Sequence, residues 1–489
     1  MRISCVRILA FVLAVLLLGG VSRPQTKRKT PPPAEKVVAV EVYESTTDLK
    51  ESLQPKDSVS FGGTRAPALT ITVQPAKTYQ EMDGFGASLT DSSAWLLYNK
   101  LDAAQRRDLM EKLFDPARGI GLNFLRQPMG ASDFALDDYS YDDLPAGESD
   151  PELQHFSIAH DQAYIIPVLK EALAVNPHLK IIATPWSAPG WMKTSGELIG
   201  GRLKPEAYPA FAKYFVKFVQ AYEAAGIPIF AITMQNEPMY IPQDYPGMGM
   251  SGQEQAVFLR DHLGPAFRAA HLKTKVMIFD HNWNLIEFPI TLLSDAKAAG
   301  FADGIATHCY GGTPAAQEEL HSRFPDKPIW LTECSGGDWQ TGRILDEQAS
   351  LIINSTRHWA KGVILWNLAL DQDHGLHKGG CKTCRGVVTI NDAASPSTVA
   401  TTVDFVALGH ASKFLAPGAV RIDSNTFGHG SLEDVAFRNP DGSIVLMVLS
   451  GSNEPVPFNV EWQGRYFSYQ LQAGSVVTFL WHPTQDRRR

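Results

Sequence analysis

What the sequence lacks first is a membrane span. The apolar run at residues 8–18, preceded by Arg2 and Arg7, is too short to cross a bilayer comfortably, since about 20 apolar residues are needed. It reads instead as an export signal over residues 1–24, followed by a basic, proline-rich flexible linker over residues 25–36. The sequence also lacks a basic excess: 44 Lys and Arg stand against 52 Asp and Glu, for a net charge of -8. That balance disfavours nonspecific attraction to nucleic acid or anionic membrane. Histidines do not fall in the compact His-Glu-x-x-His spacing of a metal site, so no metal or cofactor is expected. Cysteine is sparse, at five in 489 residues, and Cys5 precedes the apolar run, so it supplies no lipidation site at the signal's end.

What is present is a long chain able to bury a substantial core, 44% apolar. Strand-like segments at residues 37–43 and 68–73 come first. Eight short apolar strands then alternate with helical stretches. The strands fall at residues 83–87, 121–128, 180–184, 230–235, 275–280, 304–307, 329–332 and 362–366. Helices are predicted at residues 103–114, 159–174, 205–225, 253–270 and 346–359. Eight strand–helix alternations predict an α/β fold, a (β/α)8 barrel over residues 81–410. Beyond it, residues 411–489 change to short strands with a turn at Asn439-Pro440-Asp441-Gly442, which suits an antiparallel β-sandwich. These strands are too few alone, and those of residues 37–80 are expected to complete the sheet.

Barrel enzymes carry their chemistry at the C-terminal ends of strands. Thr233-Met234-Gln235-Asn236-Glu237-Pro238 ends the fourth predicted strand and Leu331-Thr332-Glu333-Cys334 the seventh. Two carboxylates facing each other across a barrel mouth are what glycosidic cleavage needs: about 5 to 5.5 Å apart for retention of configuration, about 6.5 to 9.5 Å for inversion. Sequence spacing does not measure that gap.

Several blocks in consistent order carry a resemblance. They are Gly84-Phe85-Gly86-Ala87-Ser88-Leu89-Thr90-Asp91, Leu125-Arg126-Gln127-Pro128-Met129-Gly130-Ala131-Ser132-Asp133-Phe134 and Thr184-Pro185-Trp186-Ser187-Ala188-Pro189-Gly190-Trp191-Met192-Lys193-Thr194. Asn236-Glu237-Pro238, His308-Cys309-Tyr310, Thr332-Glu333 and Trp366-Asn367-Leu368-Ala369-Leu370-Asp371 continue them. Together they resemble glycoside hydrolase family 30, and its glucosylceramidase-like branch in particular. The resemblance implies a barrel joined to a sandwich built from both chain ends, and a double-displacement mechanism. It makes Glu237 the general acid/base and Glu333 the nucleophile.

It further implies a pocket in which Asp133, Trp186 and Trp366 hold the nonreducing sugar and Asn236 bonds its 2-hydroxyl. Arg126 would orient the carboxylates, and His308 with Tyr310 would contact sugar or support Glu333. Tyr245, in the proline- and glycine-rich loop of residues 241–250, is a further substrate contact. The plainer readings stay open: a tryptophan also fills a core, an arginine on a strand can pair structurally, and a buried histidine can simply satisfy polar neighbours. A shielded Glu237 close to a negative Glu333 is expected to hold its proton more readily.

Cys381-Lys382-Thr383-Cys384 has the spacing of a redox or metal half-site; in an exported chain its plainer reading is a loop-stiffening disulfide between Cys381 and Cys384. Cys309 and Cys334, each following a predicted site position, can be free or bonded. The stretch of residues 379–386 departs from the glucosylceramidase pattern, which puts lipid specificity in doubt. The expected activity is therefore retaining hydrolysis of β-glucosidic bonds in glucosides or β-glucan oligosaccharides, in the periplasm or outside the cell. Glucosylceramidase, β-xylosidase and β-1,6-glucanase are the alternatives, and a catalytically silent carbohydrate-binding protein is the alternative of another class. The expected partner is a β-linked glucoside or oligosaccharide, with no nucleic acid and no permanent membrane insertion after signal cleavage.

Overall fold

The structure, a computed structural model, describes residues 37–483. The predicted signal and linker lie outside the described residues. Eight parallel strands close into a barrel. In chain order they are Gly84–Ser88, Phe124–Pro128, Lys180–Thr184, Ala231–Thr233, Lys275–Asn282, Gly304–His308, Ile329–Glu333 and Ala360–Leu365. Most are buried along their whole length, as expected where helices cover the outside and side chains fill the inside.

The interior is layered by the two-residue period of a strand. Phe124, Ile182, Ala231, Met277, Ala306, Trp330 and Ile364 form one buried apolar cluster, each on a different strand. Glycine makes room for the large members: a Cβ at Gly362 would lie 2.6 Å from the Phe124 ring, and one at Gly304 2.3 Å from the Trp330 ring. Two residues further along the chain from these stand Arg126, Thr184, Thr233, His308, Thr332 and, just past the eighth strand, Trp366. The fifth strand breaks the period. Its register shifts between Phe279 and His281, and Phe279 and Asp280 take φ of 78° and 63°. This bulge turns Phe279 into the outer core and puts Asp280, three residues after Met277, into the polar layer.

The helix Ala103–Phe114 has the predicted bounds, set by a capping box in which Asp102 and Gln105 satisfy each other's ends. The predicted helix of residues 159–174 is two, Ala159–Ala163 and Ile165–Val175, broken at Tyr164. Pro167 then falls in the first turn of the second, where its missing N–H costs nothing. The predicted helix of residues 253–270 is α-helical over Gly252–Phe258, π-helical over Leu259–Leu263 and α-helical again from Gly264. Pro265 cannot donate to the i−4 carbonyl, and the wider turn precedes it.

A second, larger sheet has nine strands. Its order is Arg465–Leu471, Val456–Trp462, Leu69–Glu81, Val420–Ser424, Leu432–Arg438, Ile444–Ser450, Val476–Trp481, Val38–Ser45 and Gln54–Phe61. It curls until Gly63 bridges Tyr466 near its two edges. Both chain ends supply it: Val38–Ser45 pairs with Val476–Trp481, and Leu69–Glu81 lies between two C-terminal strands. One pairing, Leu69–Glu81 with Val456–Trp462, is parallel rather than antiparallel. Gln54–Phe61 and Arg465–Leu471 are strands the sequence reading left out. The helix Val403–Ser412, buried along its length, joins the two bodies. His410 on it contacts Ser45 Oγ at 2.8 Å through Nε2 and Thr478 Oγ1 at 2.9 Å through Nδ1. A small sheet of Ala369–Asp371, Val388–Asn391 and Thr398–Thr401, also unforeseen, follows the eighth barrel strand. Among the described residues no helix is long and apolar enough to cross a membrane.

Candidate active site

Glu333 is the last residue of the seventh barrel strand. Glu237 lies four residues past the three-residue fourth strand, Ala231–Thr233, which is shorter than predicted. The backbone turns sharply there. Glu237 has φ 42°, its N–H donates to the Asp280 carbonyl at 3.0 Å, and the Asn236 N–H donates to the Pro185 carbonyl at 2.9 Å. A glutamate held in that region is strained, a feature that collects at working sites.

Arg126, wholly buried, is the hub. Its Nη1 donates to Glu333 Oε2 at 2.5 Å, and its Nη2 to Asn236 Oδ1 at 2.7 Å and Asp280 Oδ2 at 2.9 Å. Tyr310 donates its hydroxyl to Glu333 Oε1 at 2.8 Å. Each oxygen of Glu333 therefore accepts a hydrogen bond, one from a guanidinium and one from a phenol. The His308 ring stands between Glu237 Oε1, 3.2 Å from Nδ1, and Asp280 Oδ1, 2.9 Å from Nε2, rather than hydrogen-bonding Glu333. His281 Nδ1 lies 3.6 Å from the same Glu237 oxygen.

The charges follow from this packing. Burial pushes His308 down, but the charges of Glu333 and Asp280 and the bonds to Asp280 and Glu237 outweigh it and raise its pKa to about 9. Burial likewise pushes Glu237 up, and the His308 bond and charge, with His281 and Arg126, pull its pKa below the usual carboxylate value. Glu237 thus gives up its proton more readily than expected of a shielded acid beside Glu333, because His308 stands at its carboxylate. Burial holds His281 near 4, and so neutral at neutral pH. Asp280 is kept well below the carboxylate range: burial opposes ionisation, yet Arg126, His308 and Thr332 overcome it. Asp133 goes the other way, raised well above its usual value by burial, then by the charge of Glu333, against hydrogen bonds from its own N–H and that of Cys381.

Trp186 and Trp366 stack with centroids 5.1 Å apart and planes at 24°, and the Arg126 guanidinium lies 4.8 and 5.6 Å from their ring centroids. They form a buried cluster with Phe134, Leu370 and Cys384, against which Tyr245 and Cys381 pack. Asp133, Trp186, Asn236, Tyr245, His308, Tyr310, Trp366 and Arg126 are thus gathered around the two glutamates. The disulfide Cys381–Cys384 closes the loop over this cluster. Gly380, at φ 67°, passes so close that a Cβ would lie 2.6 Å from that of Asp133. A second disulfide, Cys309–Cys334, ties the residues that follow His308 and Glu333.

The sequence reading missed Asp280, His281, Thr233 and Thr332. Thr233 and Thr332 donate to the two oxygens of Asp280 at 2.7 and 2.6 Å. The available signal was the polar triplet Asp280-His281-Asn282 at the end of an apolar strand, but an unbroken two-residue period would have turned Asp280 away from the interior.

A closed barrel holding a buried arginine and two glutamates at its C-terminal mouth has the equipment of a glycoside hydrolase. The TIM-barrel domain model of glycosyl hydrolase family 30 matches residues 82–415, and the family's β-sandwich domain model matches residues 418–479. The chain belongs to glycosyl hydrolase family 30, whose members are retaining glycoside hydrolases. It is 32% identical over 440 residues to an endo-1,6-β-D-glucanase, neg1, of Aspergillus fumigatus, covering 84% of this chain and 87% of the relative. It is 31% identical over 447 residues to the lysosomal acid glucosylceramidase of Mus musculus, covering 84% and 83%. Among solved structures, the endo-β1,6-glucanase BT3312 superposes with a TM-score of 0.84 at 34% identity, covering 91% of this chain and all of that one.

Proposed function

We propose that this chain is an exported, endo-acting hydrolase of β-1,6-glucan in which Glu333 is the nucleophile and Glu237 the general acid and base. The observation that carries the mechanism is the unequal setting of the two glutamates. Glu333 accepts from Arg126 and Tyr310 on separate oxygens, the setting of an anion ready to attack the anomeric carbon. Glu237 instead neighbours His308 and His281. Protonated, it donates to the departing glycosidic oxygen; ionised, it takes a proton from the water that frees the sugar. Ester formation at Glu333 removes a negative charge from beside this pair, which lowers Glu237's proton affinity further and suits it to the second step.

Arg126 fixes the Asn236 carbonyl and so aims its amide at the sugar's 2-hydroxyl. Trp186 and Trp366 supply the aromatic wall. A raised Asp133 tends toward the neutral acid, which can donate to one sugar hydroxyl and accept from another.

The linkage rests on likeness to the glucanases named above. The mouse glucosylceramidase stands for the lipid alternative, and the disulfide-closed loop lying against Asp133 favours the glucan. Export is supported by the two disulfides, since such bonds persist in oxidising compartments. Incubation with linear β-1,6-glucan, β-1,3-glucan, β-xylan and glucosylceramide, followed by product chromatography, tests the reading. Early β-1,6-linked oligosaccharides are expected. Glucose as the only early product overturns endo action, and preferred cleavage of glucosylceramide overturns the glucan assignment.

A further inference from the structure

A second group of ligand-type side chains lies outside the catalytic centre, in the long loop between the second barrel strand and the helix Ala159–Ala163. We propose that Asp142, Asp150 and His155 form a site for one divalent transition-metal ion of the zinc class.

One ligand atom from each of the three residues lies within 4.8 Å of the others. Tetrahedral metal–ligand bonds of about 2.0–2.2 Å put donor atoms roughly 3.3–3.6 Å apart, inside that bound. Asp142 is 1% exposed. Its Oδ2 accepts from Trp191 Nε1 at 2.9 Å, but its Oδ1, equally buried, has no hydrogen-bond partner among the described residues. A buried carboxylate oxygen left bare in this way is costly, and it belongs to the carboxylate that meets Asp150 and His155. Asp150 is 6% exposed; its Oδ2 accepts the His155 N–H at 2.8 Å and lies 3.0 Å from Nδ1.

Charge points the same way. Among the described residues, no lysine or arginine is paired with either aspartate. Two neighbouring buried carboxylates therefore share one imidazole as their only basic partner among the described residues. A dication supplies the missing charge and fills the free coordination of Oδ1. The donor set selects its class. Calcium takes six to eight oxygens, whereas two carboxylates with one imidazole suit zinc or manganese. Entry is open, because the His155 side chain is 69% exposed and a groove bordered by Asp143, Ser149 and Trp191 runs alongside.

The ion would have a mechanical task. Through Asp142 and Trp191 it would tie the loop after the second strand to the loop after the third, which also carries Trp186. No chemistry at the sugar is assigned to it.

The test uses the full chain stripped of metal by chelation, titrated calorimetrically with ZnCl2, MnCl2 and CaCl2 and heated with and without each. One equivalent of zinc or manganese should bind and raise Tm. Asp142→Asn and His155→Ala should each weaken binding by at least about 10- to 100-fold, the cost of losing even a residue that only supports a metal ligand. His155 is exposed, so its variant keeps the fold. Glu237, His281 and His308 form another close ligand group, so His281→Ala is the control and should bind as the parent does. The proposal is overturned by absent saturable uptake, by uptake unchanged in His155→Ala, by loss confined to His281→Ala, or by preference for calcium. None of these outcomes bears on glucan cleavage, which product chromatography judges separately.

Discussion

Glu237 and Asp280 are linked twice: the Glu237 N–H donates to the Asp280 carbonyl at 3.0 Å, and His308 spans their carboxylates. Both residues have positive φ, 42° and 63°. A bulge in the fifth strand and a turn after the fourth therefore hold each other, and Asp280 acts on Glu237 without needing to touch sugar.

Asp280→Asn should show how much rests on that link. The change keeps the shape but removes the anion shared by Arg126 and His308. Breaking one partner of a buried charge network costs about 3–5 kcal/mol, so urea unfolding should shift by that order. Turnover should fall with it. An unfolding curve like that of the parent would mean Asp280 is replaceable by any hydrogen-bonding group.

The pH dependence has a defined sign. His308 holds Glu237 below its usual pKa, so the protonated acid exists only toward low pH, and kcat/KM should decline on the alkaline side as Glu237 ionises. In His308→Gln that cation is gone, the Glu237 pKa rises, and the alkaline limb should move to higher pH even as the maximum rate drops. A limb that moves to lower pH, or stays fixed, contradicts the electrostatic account.

The two glutamates should fail differently. Glu333→Ala forms no covalent intermediate, while Glu237→Ala should still attack activated aryl glycosides, whose leaving groups need no proton. Added azide should give β-glycosyl azide from the Glu237 variant and α-glycosyl azide from the Glu333 variant. Proton NMR of the products reads the anomer, and the opposite pattern would exchange the assigned roles.

The Cys381–Cys384 bond closes only a short ring, so its loss should hardly change global stability. It positions the Cys381 N–H on Asp133. Replacing both cysteines by serine should therefore raise KM by about 2- to 10-fold, the worth of one hydrogen bond, with kcat and Tm nearly unchanged. A large fall in Tm would make the bond a global staple instead.

The barrel, most of the C-terminal strands and the place of the two glutamates near strand ends were legible because each follows a local rule. Strand–helix alternation repeats eight times, Asn439-Pro440-Asp441-Gly442 marks a turn, Glu333 ends a strand and Glu237 closely follows one. Asp280 was hidden because one inserted residue reverses which side chains point inward, and nothing in the local pattern announces the insertion. Gln54–Phe61 was hidden for a different reason: seven of its eight residues are not fully buried, so its alternation has no apolar face to reveal it. The Cys309–Cys334 bond depends on two strand ends meeting in the barrel, which cysteine spacing does not encode.

The pairing of Val38–Ser45 with Val476–Trp481 sets a timetable for biogenesis. The strand made near the start must wait, edge exposed, until almost the whole chain has left the ribosome. Closing so long a loop is slow, and an unpaired edge invites association with other chains in the interval. Premature termination before residue 476 would therefore do more than shorten the protein. It would leave His410 without Thr478 and one edge of an early strand permanently unpaired, making such fragments substrates for chaperones and proteases even with both glutamates intact.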